Sequence, residues 1–197
     1  LIYTISTTDK NTRCRLEYNS IIPFGHFQYS NIDIIDLPTT ISIIPDFCFF
    51  GSEKIKKVNT YTIEEQKSIK LLENTLIDME KNNIYSNIHS LNLIKKEIRL
   101  LNKLALKIYK NKINAEYIGY NAFSESNLNE IYFGDKVQFI MDGAFQNANH
   151  KNIFFSKNIK KISRYSFLNN YIKSVKIPFN TIIDEYAFDK NVTIIRI

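Results

Sequence analysis

Tryptophan is absent, and the sequence holds only two cysteines, three histidines, four prolines and five glycines in 197 residues. Two cysteines, Cys14 and Cys48, cannot build a disulfide framework. Five glycines leave no Gly-rich loop able to cradle a phosphate. His26, His89 and His150 lie far apart, and no Cys/His spacing fits a zinc site. No apolar run approaches the roughly 20 residues of a membrane-spanning helix. Acidic residues are scattered, with no set of acid, base and nucleophile. These deficits argue against an enzyme and call for no cofactor and no metal. No signal peptide is visible, but the chain starts at Leu1 without Met, so its compartment stays open.

Ile and Phe dominate the apolar residues. The formal net charge is +6, an excess that favours acidic partners slightly. Eight basic residues and one acid, Asp142, fall between Lys136 and Lys176. Interleaved aromatics make nucleic acid conceivable. The cations are spread over several turns of chain, however, and a solvated basic surface is the simpler reading.

A self-similar step organises the rest. An Ile is followed four and five residues later by a small residue and Phe. The instances are Ile22-His26-Phe27, Ile44-Cys48-Phe49, Ile118-Ala122-Phe123, Ile140-Ala144-Phe145, Ile162-Ser166-Phe167 and Ile183-Ala187-Phe188. Phe27 to Phe49, Phe123 to Phe145 and Phe145 to Phe167 are each 22 residues; Phe167 to Phe188 is 21. The apolar positions between keep step: Leu128, Ile131, Phe133, Val137 and Ile140 match Ile32, Ile35, Leu37, Ile41 and Ile44. A later, shorter copy reads Ile172, Val175, Ile177, Ile182 and Ile183. Cys14, Leu16, Ile21 and Ile22 match that shorter form, and Val192, Ile195 and Ile197 close the series.

A coil this short cannot bury its own apolar face, but stacked coils bury each other's. Equivalent Ile and Phe side chains should therefore form interior columns. His26 and His150 occupy the slots of Ala122 and Leu128, so core or turn packing is expected of both, and Cys14 and Cys48 should face the core. Asn31, Asn127 and Asn149 share the fourth place after Phe, where an amide can satisfy turn backbone groups.

Stretches such as "IGYNAFSESNLNEIYFGDKVQFIMDGAF" and "IKSVKIPFNTIIDEYAF" resemble the BspA-type branch of leucine-rich repeats, with Pro38 and Pro178 at the family's post-strand proline. Gly134 and Ser156 replace that proline in two copies, and His26 and Cys48 replace alanine. The resemblance covers residues 12–61 and 113–197. It implies a repeat solenoid of leucine-rich-repeat type, with short β-strands per coil and about six repeats of 21–23 residues. It further implies a non-enzymatic binding module, displayed on a cell surface or secreted in many members, although an intracellular protein fits the same fold.

Phe49 to Phe123 spans 74 residues where one repeat would give 22, so about 52 are inserted, at residues 62–112. Thr62 and Glu65 form a capping box. Ile69, Leu72, Leu76 and Met79, then Leu91, Ile94, Ile98, Leu101, Ala105 and Ile108, have coiled-coil seam spacing. Residues 82–87 break the pattern. An antiparallel α-helical hairpin is expected, with Leu93, Leu100 and Leu104 as a second apolar stripe that packs on the solenoid or on a partner. The expected organisation is thus N-terminal repeats at 12–61, the hairpin at 62–112 and C-terminal repeats at 113–197.

Alternation in each strand leaves one residue outward: Asp36, Asn59, Tyr132, Phe154, Lys176 and Arg196. Tyr132 and Phe154 beside Lys173, Lys176, Phe179 and Arg196 suit a protein or glycan ligand. The two rings also suit each other as cross-strand neighbours. Three functions follow: a protein-binding surface module, an assembly scaffold acting through the hairpin, and a basic nucleic-acid or anionic-polymer binder, which the spread of the cations disfavours.

Overall fold

The structure is a computed structural model that describes residues 3–7, 11–65, 67, 68, 71, 74 and 111–197. The chain divides into two compact units, Leu1–Thr60 with Asn111–Ile197, and Tyr61–Lys110.

The first unit is a β-solenoid. One wall is a five-stranded parallel sheet of two-residue strands: β4 (Ile43–Ile44), β7 (Tyr117–Ile118), β9 (Phe139–Ile140), β11 (Lys161–Ile162) and β13 (Ile182–Ile183). Its register aligns Ile44, Ile118, Ile140, Ile162 and Ile183 as one column. The other wall carries longer strands: β2 (Thr12–Leu16), β3 (Ile34–Pro38), β5 (Lys57–Tyr61), β6 (Lys112–Ile113), β8 (Glu130–Phe133), β10 (Asn152–Phe154), β12 (Ser174–Ile177) and β14 (Thr193–Arg196). These run parallel in three groups, β2-β3-β5, β6-β8-β10 and β12-β14, while β1 (Tyr3–Thr7) lies antiparallel on β2. Alternation places Ile131, Phe133, Val175 and Ile177 in the core. Among the described residues no helix is long and apolar enough to cross a membrane.

Between the walls runs the phenylalanine column. Phe27, Phe49, Phe123, Phe145, Phe167 and Phe188 stack face to face, with centroid separations of 5.3, 4.9, 5.2, 5.3 and 5.2 Å. These spacings are close to the 4.8 Å strand repeat. The small residue before each Phe has a structural reason. The Phe27, Phe49, Phe123, Phe145 and Phe167 amides donate to the carbonyls of Cys48, Ala122, Ala144, Ser166 and Ala187 one coil on, at 2.7–2.9 Å. A larger side chain there would crowd that approach. Cys14 and Cys48 are both buried free thiols. Burial, and secondarily the Asp36 charge, push the Cys14 thiol up to about 12, so it stays a protonated core residue.

Each coil has left-handed backbone two places before its Phe, and all but the last have it two places after as well. Two places before it stand Gly25, Phe47, Asn121, Gly143, Tyr165 and Tyr186, all at φ between 49° and 65°. Glycine fits this region freely, whereas an aromatic residue is strained there.

Several expectations need correction. Thr181, not Ile182, fills the slot of Val137: Thr181 is buried and donates its hydroxyl to the Ile159 carbonyl at 2.9 Å, while Ile182 is exposed. In the last coil Ile194, not Ile195, pairs with inward Val175. Ile21 is exposed. His26 is exposed too, because it belongs to the first coil, where it packs edge-on against Tyr3. The turn amide role falls one residue earlier than Asn31, Asn127 and Asn149: Ser52 and Asn170, third after Phe, donate to the carbonyls of Phe27 and Phe145.

Strands β5 and β6 are two halves of one coil's strand. Val58 and Ile113 fill the inward positions of Ile131 and Phe133, and Ile113 pairs with Phe133. The chain thus leaves the solenoid in mid-strand, and the Thr60 hydroxyl staples the break by donating to the Lys112 carbonyl at 2.6 Å.

The second unit begins with the capping box. The Glu65 amide donates to Thr62 Oγ1 at 3.3 Å, and the Thr62 amide donates back to the Glu65 carboxylate. Helix follows from Ile63. One helix is seen among the described residues; the second arm of the expected hairpin lies outside them. Because Ile44 meets Ile118 in register, replacing residues 62–110 with a short Gly/Ser linker should leave the solenoid folded. Circular dichroism of that variant should show the helical signal lost and a cooperative melt retained. Loss of the melt would mean that the second unit completes the core.

Candidate functional site

The outward row of the long-strand wall divides into two chemically different halves. At the N-terminal end Arg15 and Asp36 are register partners, and Asn59 lies on the next strand. Asp36 and Asn59 are buried rather than exposed. Asn59 Nδ2 donates to Asp36 Oδ1 at 2.7 Å, and the guanidiniums of Arg13 and Arg15 lie 3.2 and 3.5 Å from Asp36 Oδ2. This half is a closed polar network, in which one carboxylate is shared among charged and amide donors.

The C-terminal half is apolar and open. Tyr132 and Phe154 are register partners on β8 and β10. Their rings are parallel within 6°, with centroids 4.3 Å apart. Phe154 is 44% exposed and Tyr132 half-buried. The Tyr132 hydroxyl donates to Glu130 Oε1 at 3.1 Å, which holds the ring upright. Partial burial, then the Glu130 carboxylate, raise the Tyr132 phenol above its ordinary range, so it remains a neutral donor. Glu130 carries no repeat signature, and the sequence signals it only by its place two residues before Tyr132 on the same strand face.

Lys173 and Lys176 are exposed beyond this pair, and Phe179 is 76% exposed on the following turn. The hydrogen-bonded sheet breaks between β10 and β12, so Lys176 continues the row without a backbone ladder to Phe154. Arg196 stands elsewhere than expected. It pairs with inward Ile177, and its guanidinium donates to the carbonyls of Pro178, Phe179 and Thr181 at 3.2, 3.4 and 2.8 Å. It clamps the turn that presents Phe179. The partner of Lys176 in the row is Ile195, 41% exposed. The offset arises because the last coil reaches its strand two residues sooner after Phe188 than the preceding coil does after Phe167. Leu93, Leu100 and Leu104 lie outside the described residues.

The basic residues do not converge. Lys136 Nζ donates to the Thr39 carbonyl at 2.9 Å, and Lys161 pairs with Asp184 at 3.0 Å. His150 takes the Leu128 slot and is completely buried.

The solenoid resembles two solved structures. The pneumococcal vaccine antigen PcpA superposes with a TM-score of 0.52 at 15% identity, over 98% of this chain and 46% of that one. A leucine rich cell surface protein from Faecalibacterium prausnitzii matches at 12% identity and a TM-score of 0.42, over 98% of this chain and 52% of that one. The chain thus spans about half the length of the proteins whose structures it resembles. No curated protein matches its sequence. The family model for the BspA type leucine rich repeat region matches residues 20–97 and 101–195, in six copies. The chain therefore belongs to the BspA-type leucine-rich repeat family.

Proposed function

We propose that the chain is a non-enzymatic protein-binding repeat module whose contact surface is the open half of the outward row: Tyr132, Phe154 and Lys176, flanked by Lys173, Phe179 and Ile195. The observation that carries this reading is the stacked Tyr132–Phe154 pair, parallel at 4.3 Å with Phe154 44% exposed. Large rings held rigid by each other and by Glu130 offer contact area at little cost in side-chain entropy. Inward neighbours such as Ile131 and Ile153 are committed to the core. Arg196 acts indirectly here, by fixing the turn of Phe179.

The second unit is the alternative contact surface. There we propose an antiparallel helical hairpin over residues 62–112 that offers Leu93, Leu100 and Leu104 to a partner, as an assembly scaffold would. The mid-strand exit at Thr60, which interrupts a strand of the solenoid to admit this segment, supports a role for it.

A Tyr132→Ser, Phe154→Ser double variant separates these readings. Ligands retained by the wild-type chain on protein and glycan arrays are titrated against both chains by surface plasmon resonance. The double variant should keep its fold and lose affinity at least ~30-fold, as removal of a hot-spot aromatic does. Undiminished binding by a folded variant would move the site to Leu93, Leu100 and Leu104. A steep fall of affinity with salt would instead favour an anionic polymer.

A further inference from the structure

The turns before and after each column phenylalanine make a third side of the solenoid. Its slots can be compared coil by coil. In the third and fourth coils this side is polar, with Asn121, Ser124 and Glu125, then Gly143, Gln146 and Asn147. In the first two coils it is aromatic. Phe24, Phe47, Phe50 and Tyr29 touch one after another, with ring centroids 5.7, 5.8 and 5.6 Å apart. The Gly25 and Tyr29 amides donate to the Asp46 and Phe50 carbonyls at 3.2 and 2.8 Å, so the backbone beneath these rings is fixed.

None of the four rings belongs to the core. Phe24 and Tyr29 are 66 and 67% exposed, and Phe47 and Phe50 are half-buried. Phe47 and Tyr29 stand at φ 54° and 52°, a left-handed backbone that bulky side chains avoid. Other coils place Gly25, Asn121 and Gly143 in the slot of Phe47, and Gly51, Asn147 and Asn169 in the slot of Tyr29. Glycine and asparagine adopt this backbone readily. Two rings are thus held in strained places without entering the core, and such strain marks a surface kept for a function. Tyr165 and Tyr186 share the slot of Phe47 at the far end, but each follows a charged residue, Arg164 and Glu185.

We propose that this aromatic patch is the interface of a homodimer. Charge selects the occupant. The chain carries a net +6, so two copies repel over most of their surface. Residues 18–32 and 37–52 hold a single charged residue, Asp46, although 23% of the chain is charged. Asp46 is engaged within the solenoid, where it accepts the Tyr120 amide at 2.9 Å. A nucleic acid or a charged peptide finds no partner charge there, whereas a charge-free patch is its own complement. A two-fold axis lays the same rings against each other. Area agrees. Phe24 and Tyr29 present two thirds of side chains that bury roughly 150–250 Å² each, and exposed Ile21 and Ile43 extend the patch onto the short-strand wall. The total, on the order of 500 Å², is near the top of the range for the largest patch on a monomer. With a polar rim it reaches the roughly 600–800 Å² per partner of a small specific interface.

Sedimentation equilibrium of the full chain is the test. A monomer–dimer equilibrium is expected, with a dissociation constant on the order of 10⁻⁶ to 10⁻⁵ M, because an interface of this size lies at the weak end of specific contacts. Added salt should leave it unchanged or tighten it, by screening the repulsion between two positive copies. Tyr29→Asn with Phe47→Asn gives both slots the residue type of Asn121 and Asn147. This variant should keep its circular dichroism and dimerise at least ~10-fold more weakly. Phe24→Ser, at an exposed position, should weaken the dimer too. A wild-type chain that is monomeric at roughly 10⁻⁴ M, ten times the weaker constant, would overturn the proposal without reference to any variant. Unchanged affinity in either variant, or a dimer that dissociates as salt is raised, would overturn it as well. Unfolding of the Tyr29→Asn, Phe47→Asn chain would make the rings structural, with the same consequence.

Discussion

Phe145→Ala should destabilise the solenoid by about 3–5 kcal/mol, the range for truncating a core phenylalanine. Phe145 is completely buried. It stacks between Phe123 and Phe167 within 3° and 1° of parallel and meets Phe133 edge-on at 5.5 Å. The cavity left by truncation cannot close by drawing the coils together, because the Phe123 and Phe145 amides already hold the carbonyls of Ala144 and Ser166 at 2.7 and 2.8 Å. Relaxation is therefore limited, and the upper part of the range is expected. Urea unfolding followed by far-UV circular dichroism measures it. The midpoint should fall with little change in slope. A loss below about 1 kcal/mol would mean that the ring is not held in a rigid column.

The second large effect concerns acid. His150 fills the slot that Leu128 fills one coil earlier, edge-on to Phe145 at 5.4 Å and Phe167 at 6.1 Å. Neither ring nitrogen has a hydrogen-bond partner among the described residues; the Leu128 carbonyl approaches the ring outside strict hydrogen-bond geometry. Burial pushes the imidazole down to about 3. The unfolded chain, titrating near 6.5, then binds a proton that the folded chain refuses. Stability from this group is constant above pH 6.5 and falls as pH drops from 6.5 toward 3, by about 1.4 kcal/mol per pH unit. His150→Leu should remove this dependence. It should also stabilise the chain at neutral pH by about 1–3 kcal/mol, by deleting buried unpaired nitrogens. The difference between the two chains, measured by urea unfolding at pH 7.5 and 4.5, cancels the carboxylates they share. It should widen by about 2–3 kcal/mol at the lower pH. A constant difference would place a proton acceptor beside His150.

The columns are legible in the sequence because each is one residue type recurring at a fixed interval, and stacking demands that interval. The wall positions are legible for the same reason, except where a coil is shortened. Thr181 escapes notice because a threonine can bury its methyl and donate its hydroxyl to the Ile159 carbonyl, a job that periodicity assigns to an aliphatic residue. Arg196 is displaced because periodicity carries no information on how soon the last strand begins after Phe188. The left-handed positions are hidden since Phe47, Tyr165 and Tyr186 stand where Gly25, Gly143 and Asn121 would announce them.

The candidate site is half legible. Outward direction follows from alternation, so Tyr132, Phe154 and Lys176 are found. Exposure does not follow from direction. Asp36 and Asn59 point outward but are buried in a network with Arg13 and Arg15, whose partners come from other coils.

One solenoid runs unbroken past the inserted segment, so that Phe49 and Phe123, 74 residues apart, are neighbours. Their centroids are 4.9 Å apart with 20° between the planes, and the Phe49 amide donates to the Ala122 carbonyl at 2.7 Å. A nuclear Overhauser spectrum with selectively labelled phenylalanine reads this contact directly. Cross-peaks between the Phe49 and Phe123 ring protons, as intense as those between Phe123 and Phe145, are the predicted result. Their absence, with the Phe123–Phe145 peaks present, would show two separate repeat stacks in place of one.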